Sequence, residues 1–438
     1  MERLYKRGRL MYILEAGLEY LISILVADMY LASLTKELGI SDSVTGILSS
    51  VISLGCLFQL ITTLIHKGSA KRLVMALSIV NQLLFMLLYV IPLTGWQDKA
   101  KQIIFIVAIV LAYFFYNIAH PKKINWFMSL VDDEQRGRFT AKKEAISLAS
   151  GVIFNFAMGA VISYYQERNI RVAFIICGIS IFAIMVLHTV TMILTVEKKL
   201  PEQSNPAPSK RGVGFVTALK NKEILKVTLV FVLWQVASSV SVPFYGAYKN
   251  NTLMLDPIYG ISILSAIYAV ARAIFSFVWG RYADKYSFAK MLRICFAIAG
   301  ISFLINAFCC PENGYVVYTV YYVLYAIAMG GINSALINLC YDYVTPEMRT
   351  DALAVSLAIS GVCGFLATLC VSPLVSYIQA NNDTIFGIQI YAQQLLSLIS
   401  CAITVATVIY VSLAMTRKAK IPRGERLINN NKEENRDA

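Results

Sequence analysis

The chain has 438 residues, 58% hydrophobic and 15% charged, with a mean hydropathy of +0.63, a composition that a water-soluble protein of this length does not carry, so most of it is expected to have lipid as its solvent. The net charge of +13 sits in short clusters between long apolar runs, without the basic domain that tracks phosphates, which argues against nucleic acid as a partner. The nine cysteines mostly lie inside apolar runs without metal-ligand spacing and read as small hydrophobes; no cofactor or metal is implied.

Arg3, Lys6, Arg7 and Arg9 open the chain like the start of a signal peptide, but the apolar run behind them continues to about Leu34. That is too long for a cleavable core, so it reads as a retained first helix. A hydrocarbon layer of about 30 Å takes about 20 apolar helical residues. Twelve segments meet this within a few residues: 11–34, 43–65, 73–94, 102–120, 140–165, 170–196, 224–247, 258–280, 290–310, 315–340, 353–379 and 387–415. They are numbered as spans 1 to 12. Span 4 has the option of running past Pro121 toward Trp126.

Lys and Arg in short loops set orientation. One set of ends carries the basic N terminus, Lys67/Lys71/Arg72, Arg136/Arg138/Lys142/Lys143, Lys210/Arg211/Lys220/Lys222, Arg281/Lys285/Lys290/Arg293 and Arg417/Lys418/Lys420/Arg423. The alternate loops hold only Lys36, Lys99 with Lys101, Arg168 with Arg171, and Lys249. The basic side is therefore expected to be cytoplasmic, with both termini inside. Residues 197–223 include Pro201, Pro206, Pro208, Ser204 and Ser209 and read as a flexible cytoplasmic linker. It separates a six-span bundle at 1–196 from a second at 224–416, with a polar cytoplasmic tail at 417–438.

The halves are related. Moving residues 131–166 by 213 positions lays them on 344–379 without a gap and aligns eleven identical pairs, among them Glu134/Glu347, Arg136/Arg349, Ser147/Ser360, Gly151/Gly364 and Ser163/Ser376. About three would be expected by chance, and the offset is close to half the chain, so the sequence reads as an internal duplication.

Gly280-Arg-Tyr-Ala-Asp284-Lys285, after span 8, resembles the Gly-x-x-x-Asp-Arg/Lys signature of the major facilitator superfamily. Pro346-Glu347-x-Arg349 and its partner Glu134-Gln-Arg136-Gly137-Arg138 resemble that family's elements after helices ten and four. The resemblance covers nearly the whole chain. It implies an all-α membrane protein of twelve transmembrane helices in two pseudo-symmetric six-helix bundles, and a cytoplasmic gate built on Gly280, Asp284, Lys285, Glu134, Arg136, Glu347 and Arg349. An Asp at one helix end attracts the positive N-terminus of another, and a nearby Arg pairs with it; the plainer alternative is that the basic residues only enforce topology. The pattern departs at Ser287, Phe288 and Ala289, where the family has a Gly and basic residues, and His66–Arg72 has lost the Gly and Asp.

In that family helices 1, 4, 7 and 10 line a central cavity, and at about 100° per residue each of these spans shows a polar-aromatic stripe. Span 1 gathers Tyr12, Glu15, Glu19, Ser23 and Tyr30; span 4 Tyr113, Tyr116, Asn117 and His120; span 7 Trp234, Ser238, Ser241, Tyr245 and Tyr248; span 10 Tyr318, Tyr321, Tyr322, Tyr325 and Asn333. Tyr12, Tyr30, Tyr248 and Tyr318, near span ends, read as interfacial belt residues. For Trp234, Asn117 and Asn333 the alternative to cavity lining is interhelical hydrogen bonding.

An ionisable side chain at mid-membrane costs about 2.5 to 3.5 kcal/mol on insertion scales and is seldom kept without a use. Glu15, Glu19 and Arg272 are the candidates. Glu19 and Arg272 each lie about 12 Å from the basic ends of spans 1 and 8 at 1.5 Å per residue, which suggests a pair across the halves. Such a pair is either static or broken during transport to free Glu19 for a proton. His120 and His188 read as hydrogen-bonded packing residues.

Taken together, the expected function is secondary active transport of a small polar organic solute by alternating access, driven by an ion gradient because no Gly-x-x-x-x-Gly-Lys-Ser/Thr loop supplies ATP energy, with a proton the first choice because of the embedded carboxylates. The expected setting is a monomer in the plasma membrane. The rivals are a drug-type exporter, a non-transporting receptor or sensor of the same fold, and a membrane enzyme, against which no intramembrane metal cluster or Gly-x-Ser-x-Gly motif is found.

Overall fold

The computed structural model describes residues 2–55, 69–131, 136–197, 220–344, 349–385 and 387–415. In lipid every backbone polar group needs an internal partner, so the apolar runs fold as helices. Among the described residues ten helices are long and apolar enough to cross a membrane, and a bent pair in span 1 makes an eleventh. Span 2 is described as Asp42–Ser50 with a 3-10 turn Val51–Leu54, and its predicted remainder lies outside the described residues. The chain is thus a multi-pass, nearly all-helical membrane protein.

Spans 3 to 6 are Ala70–Val90, Asp98–Met128, Arg136–Gln166 and Ile170–Leu194. Span 7, Lys222–Ser241, continues in 3-10, α and π turns to Thr252. Span 8 starts as a π turn, Ile258–Ile263, and runs on as Leu264–Lys285. Spans 9 to 12 are Phe288–Asn306, Gly314–Tyr343, Arg349–Ala380 and Ala392–Ala414. Span 12 begins later than expected because a two-stranded hairpin, β1 Thr384–Ile385 with β2 Ile388–Gln389, occupies the preceding loop.

Ser287, which departs from the family motif, accepts from the Lys290 backbone N–H at 3.2 Å and caps span 9. Span 4 runs through Pro121, which removes one donor but does not end the helix. Span 1 is divided. Glu2–Leu25 is followed by Asp28–Glu37 at an angle of 41°, and Asp28 itself has φ +50, a left-handed conformation that Asp tolerates better than most residues. The Leu25 carbonyl, freed at the break, accepts from the Tyr89 hydroxyl.

Each half has its own core. One large cluster of buried apolar side chains draws on residues 22–184 with Ile261 added, the other on residues 227–415. The duplication is visible in the packing. A Cβ on Gly151 of span 5 would fall 2.4 Å from Tyr20 of span 1, and one on Gly364 of span 11 would fall 2.6 Å from Gln235 of span 7. The aligned glycines thus serve equivalent close crossings, the usual use of small residues in membrane helices.

The halves meet at the end opposite the N terminus, here the far end. Asp42 accepts from Asn251 at 2.6 Å and from Gln379 at 2.8 Å, Ser163 donates to Asp256 at 2.9 Å, and Ser262 donates to the Asn155 carbonyl at 2.7 Å. Glycines bring backbones together there: a Cβ on Gly246 would lie 2.6 Å from the Asp28 carbonyl oxygen, and one on Gly361 2.3 Å from that of Ser53.

Candidate functional site

Between the halves lies a cavity of about 610 Å³. Tyr113 and Tyr116 of span 4, Gln235 and Ser238 of span 7, Tyr268 of span 8, and Tyr318, Tyr321, Tyr322 and Tyr325 of span 10 supply much of its wall. Tyr321 stacks on Tyr325 along span 10 at 5.6 Å, and Tyr268 of span 8 packs on Tyr322 of span 10 at 5.2 Å. Such a wall offers flat apolar surface with hydroxyls at its edges.

Asp28 and Lys249 form the far-end limit of this cavity. Lys249 donates to the Asp28 carboxylate and, at 3.3 Å, to the Gly260 carbonyl, and its ammonium lies 5.8 Å from the rings of both Tyr318 and Tyr322. Lys249 is 1% exposed. A buried ammonium is tolerated when an opposite charge and hydrogen-bond acceptors surround it, and here one partner comes from each half.

A second charged group lies inside the N-terminal half. Glu15 Oε1 accepts from Lys123 Nζ at 3.1 Å and from His188 Nε2 at 3.0 Å, Lys123 also binds Glu19, and Gln82 Nε2 stands 3.0 Å from His188 Nδ1. Glu15 and His188 are fully buried and Gln82 and Lys123 nearly so. The nearest ligand atoms of Glu15, Glu19 and His188 lie within 4.8 Å of one another, a spacing a metal ion could use. The Lys123 ammonium bridges the two carboxylates and already supplies the positive charge a cation would bring.

Two further cavities, about 350 and 440 Å³, adjoin the first and extend toward the basic end. Arg272 lines both; Glu19 lines the larger. The expected Glu19–Arg272 pair is not formed, because Glu19 is bound by Lys123. Lys123 escapes sequence reading for a local reason: helix continuing past Pro121 carries it into the bundle instead of into a loop.

The remaining predicted residues divide. Glu15, Glu19, Tyr113, Tyr116, Ser238, Tyr322 and Tyr325 line the cavities. Asn117 is turned elsewhere: it donates to the Tyr113 carbonyl at 2.8 Å and fills the space beside Gly55 of span 2. Trp234 is a core residue, stacked on Phe296 at 5.2 Å. Asn333 is exposed and outside the three cavities. The tyrosines read as belt residues are buried instead: Tyr12 stacks on Phe127 at 4.5 Å, Tyr30 donates to Asn155 at 3.4 Å, Tyr248 to the Cys309 carbonyl at 2.6 Å, and Tyr318 lines the cavity.

Of the gate residues, Glu134 and Glu347 lie outside the described residues, as do the side chains of Arg136, Asp284 and Arg349. Gly280 has open space around it and Lys285 is exposed, 5.3 Å from the Tyr286 ring. Sequence reading passed over Asp28, Lys249, Lys123 and Gln82. For Asp28 the signal was present, an acidic residue inside an apolar run; Lys249 was counted only as a loop charge.

The model of the Major Facilitator Superfamily matches residues 10–368. Solved structures share the fold. A variant of the nucleoside transporter NupG aligns with TM-score 0.73 at 12% identity, covering 93% of this chain and 100% of that one. A bacterial metal transporter gives 0.68 at 13%, covering 95% and 99%, and an autoinhibited POT family peptide transporter 0.69 at 12%, covering 95% and 98%. A search of curated proteins finds no significant match.

Proposed function

The chain belongs to the major facilitator superfamily, and on that premise we propose that it is a proton-coupled secondary transporter of a small polar organic solute, held in the conformation open at its basic end. The observation that carries this reading is the run of adjoining cavities between the halves, which starts beneath the Asp28–Lys249 pair and reaches Glu19, Lys123 and Lys143 on the basic side. A solute enters from the basic end, stacks on the tyrosines and hydrogen-bonds to Gln235 and Ser238. Breaking the far-end contacts while the basic end closes then releases it on the other side. By the Lys/Arg distribution the basic end is cytoplasmic, and the loops bearing Glu134, Arg136, Asp284, Glu347 and Arg349 close it.

Protons are the coupling ion because buried ionisable groups adjoin the solute path, and their charge state alters the energy of each conformation. The cavity wall of rings and hydroxyls suits a ring-shaped solute without strong charge, such as a sugar or sugar derivative. The test is a screen of neutral and charged small solutes for thermal stabilisation, followed by uptake of the hits into proteoliposomes. Accumulation driven by an imposed pH gradient supports the reading, and binding without any translocation overturns it.

A further inference from the structure

His188 projects from span 6, against which spans 1, 3 and 5 pack. Its Nδ1 stands 3.0 Å from the Gln82 amide nitrogen and its Nε2 3.0 Å from Glu15 Oε1; with the amide in this orientation Nδ1 accepts, and the imidazole takes the neutral Nε2–H form that donates to Glu15. In this form the inner group of Glu15, Glu19 and Lys123 holds two carboxylates against one ammonium, one negative charge more than its own contacts balance. Two atoms of the same group are buried without a hydrogen-bond partner: Glu15 Oε2 and Gln82 Oε1. Buried polar atoms are rarely left so, and each such case asks for a reason.

One rotation gives Gln82 Oε1 a partner. Turning the Gln82 amide by half a turn exchanges its oxygen and nitrogen and places Oε1, now an acceptor, against His188 Nδ1. Nδ1 can then carry a hydrogen, the imidazole becomes an imidazolium, and the inner charge falls to zero. We propose that His188 is the proton-binding site of this protein, and that the Gln82 amide is the two-position switch that admits the proton; this rests on the proton coupling proposed above and gives it an address.

The step is balanced. One proton comes from hydronium in the water of the adjoining cavity, which reverts to water as its O–H bond breaks. An N–H bond forms at Nδ1, the Gln82 N–H···N bond is lost, and an N–H···O bond replaces it; no electron moves. Other charged groups near span 6 lie further out. Lys71 of span 3 donates to the carbonyls of Ile193 and Thr195 at its end, about two turns away. Lys143 and Glu144 of span 5 have opposite charges and line the cavity with His120 of span 4 and Arg272 of span 8. Glu15 is the carboxylate in contact with the imidazole.

The test is histidine-selective nitrogen NMR of the full-length protein in lipid nanodiscs between about pH 5 and pH 8, the range in which an imidazole ordinarily titrates. The His188 signal is identified by its loss in His188→Gln. The expected result is a neutral Nε2–H ring at high pH that becomes an imidazolium as pH falls. Gln82→Met, which removes the acceptor, should move that change to lower pH by at least about one unit, and Gln82→Glu, which supplies a permanent one, should move it to higher pH by a similar amount. A ring that stays neutral throughout, or shifts of the same sign in both variants, would overturn the proposal, since a packing role predicts no opposed response. The spectra need no solute, so they separate the two readings. A ring that stays neutral in a protein that still accumulates solute on a pH gradient removes His188 alone, while titration without gradient-driven uptake removes the coupling alone.

Discussion

Lys249 of span 7 and Asp28 of span 1 form an ion pair across the two halves at the far limit of the central cavity. The pair has a buried side, Lys249, and a more open one, Asp28, whose side chain is 41% exposed. Both belong to distorted backbone: Asp28 opens the second piece of a bent span with φ +50, and Lys249 lies in a π turn. Helix irregularities of this kind often mark parts that move.

The first prediction follows from that asymmetry. Asp28→Asn and Lys249→Gln should each weaken the far-end closure. Removing Asp28 strands a buried ammonium, so it should be the more damaging for stability. A cysteine placed at Ser49, on the cavity wall, should then react faster with an impermeant thiol reagent from the far side in either variant. In the double variant the loss of melting temperature should be smaller than the sum of the single losses; additive losses would remove the pair as a unit.

Glycine contacts give a second, independent handle on the same closure. Gly246→Ala and Gly361→Ala put a methyl against the backbone of Asp28 and of Ser53, neither of which can give way as a side-chain tip would. Both changes should disfavour far-end contact and raise labelling at Ser49, with no charge altered. Unchanged labelling would mean that the close approach is incidental.

Within the N-terminal half, Lys123→Met leaves Glu15 and Glu19 without their ammonium. The expected cost is about 3 to 5 kcal/mol, the usual penalty for breaking a buried pair from one side. Adding Glu15→Gln should recover part of it. Arg272→Gln should cost less than Lys123→Met, because Arg272 is partly exposed and lines the cavities without an ion-pair partner among the described residues. Denaturant-dependent loss of helicity in detergent ranks the variants, and an Arg272 variant as unstable as Lys123→Met would contradict the assignment.

Glu19→Gln tests coupling. It removes one of the two carboxylates that share Lys123, so the inner group is already balanced with His188 neutral, and accumulation on a pH gradient should fail while exchange at equal pH persists. Retained uphill accumulation would mean that the second carboxylate plays no part in drawing the proton to His188.

Orientation is checked with cysteines at Ser204 and Asn382. Labelling of Asn382 from outside intact cells, with Ser204 protected, is expected from the Lys/Arg distribution; labelling of both from outside would reverse it.

Much of the helical architecture was legible because lipid leaves few alternatives to helix, and helix length is a one-dimensional signal. The duplication was legible too, since Gly151 and Gly364 are held in place by the same packing requirement. The site was readable only where a stripe faces the cavity squarely, as with Tyr322, Tyr325 and Ser238. It failed for partners set by tertiary geometry. Glu19 is paired with Lys123, which lies beyond the 102–120 span in the optional continuation past Pro121, and not with Arg272 at similar depth. Gln82 and His188, on spans 3 and 6, could not be seen as neighbours, because contact between those spans leaves no trace in either sequence.

The account as a whole turns on two ends that open in alternation. Spin-label pairs at Glu37 with Asn382 report the far end, and pairs at Arg72 with Lys285 the basic end. Pulsed electron–electron distance measurements on both pairs, in the unsubstituted protein and in Gly361→Ala, give the direct answer. The account predicts that the substitution lengthens the far-end distance and shortens the basic-end one together; a far end that opens while the basic-end distance stays fixed would contradict it.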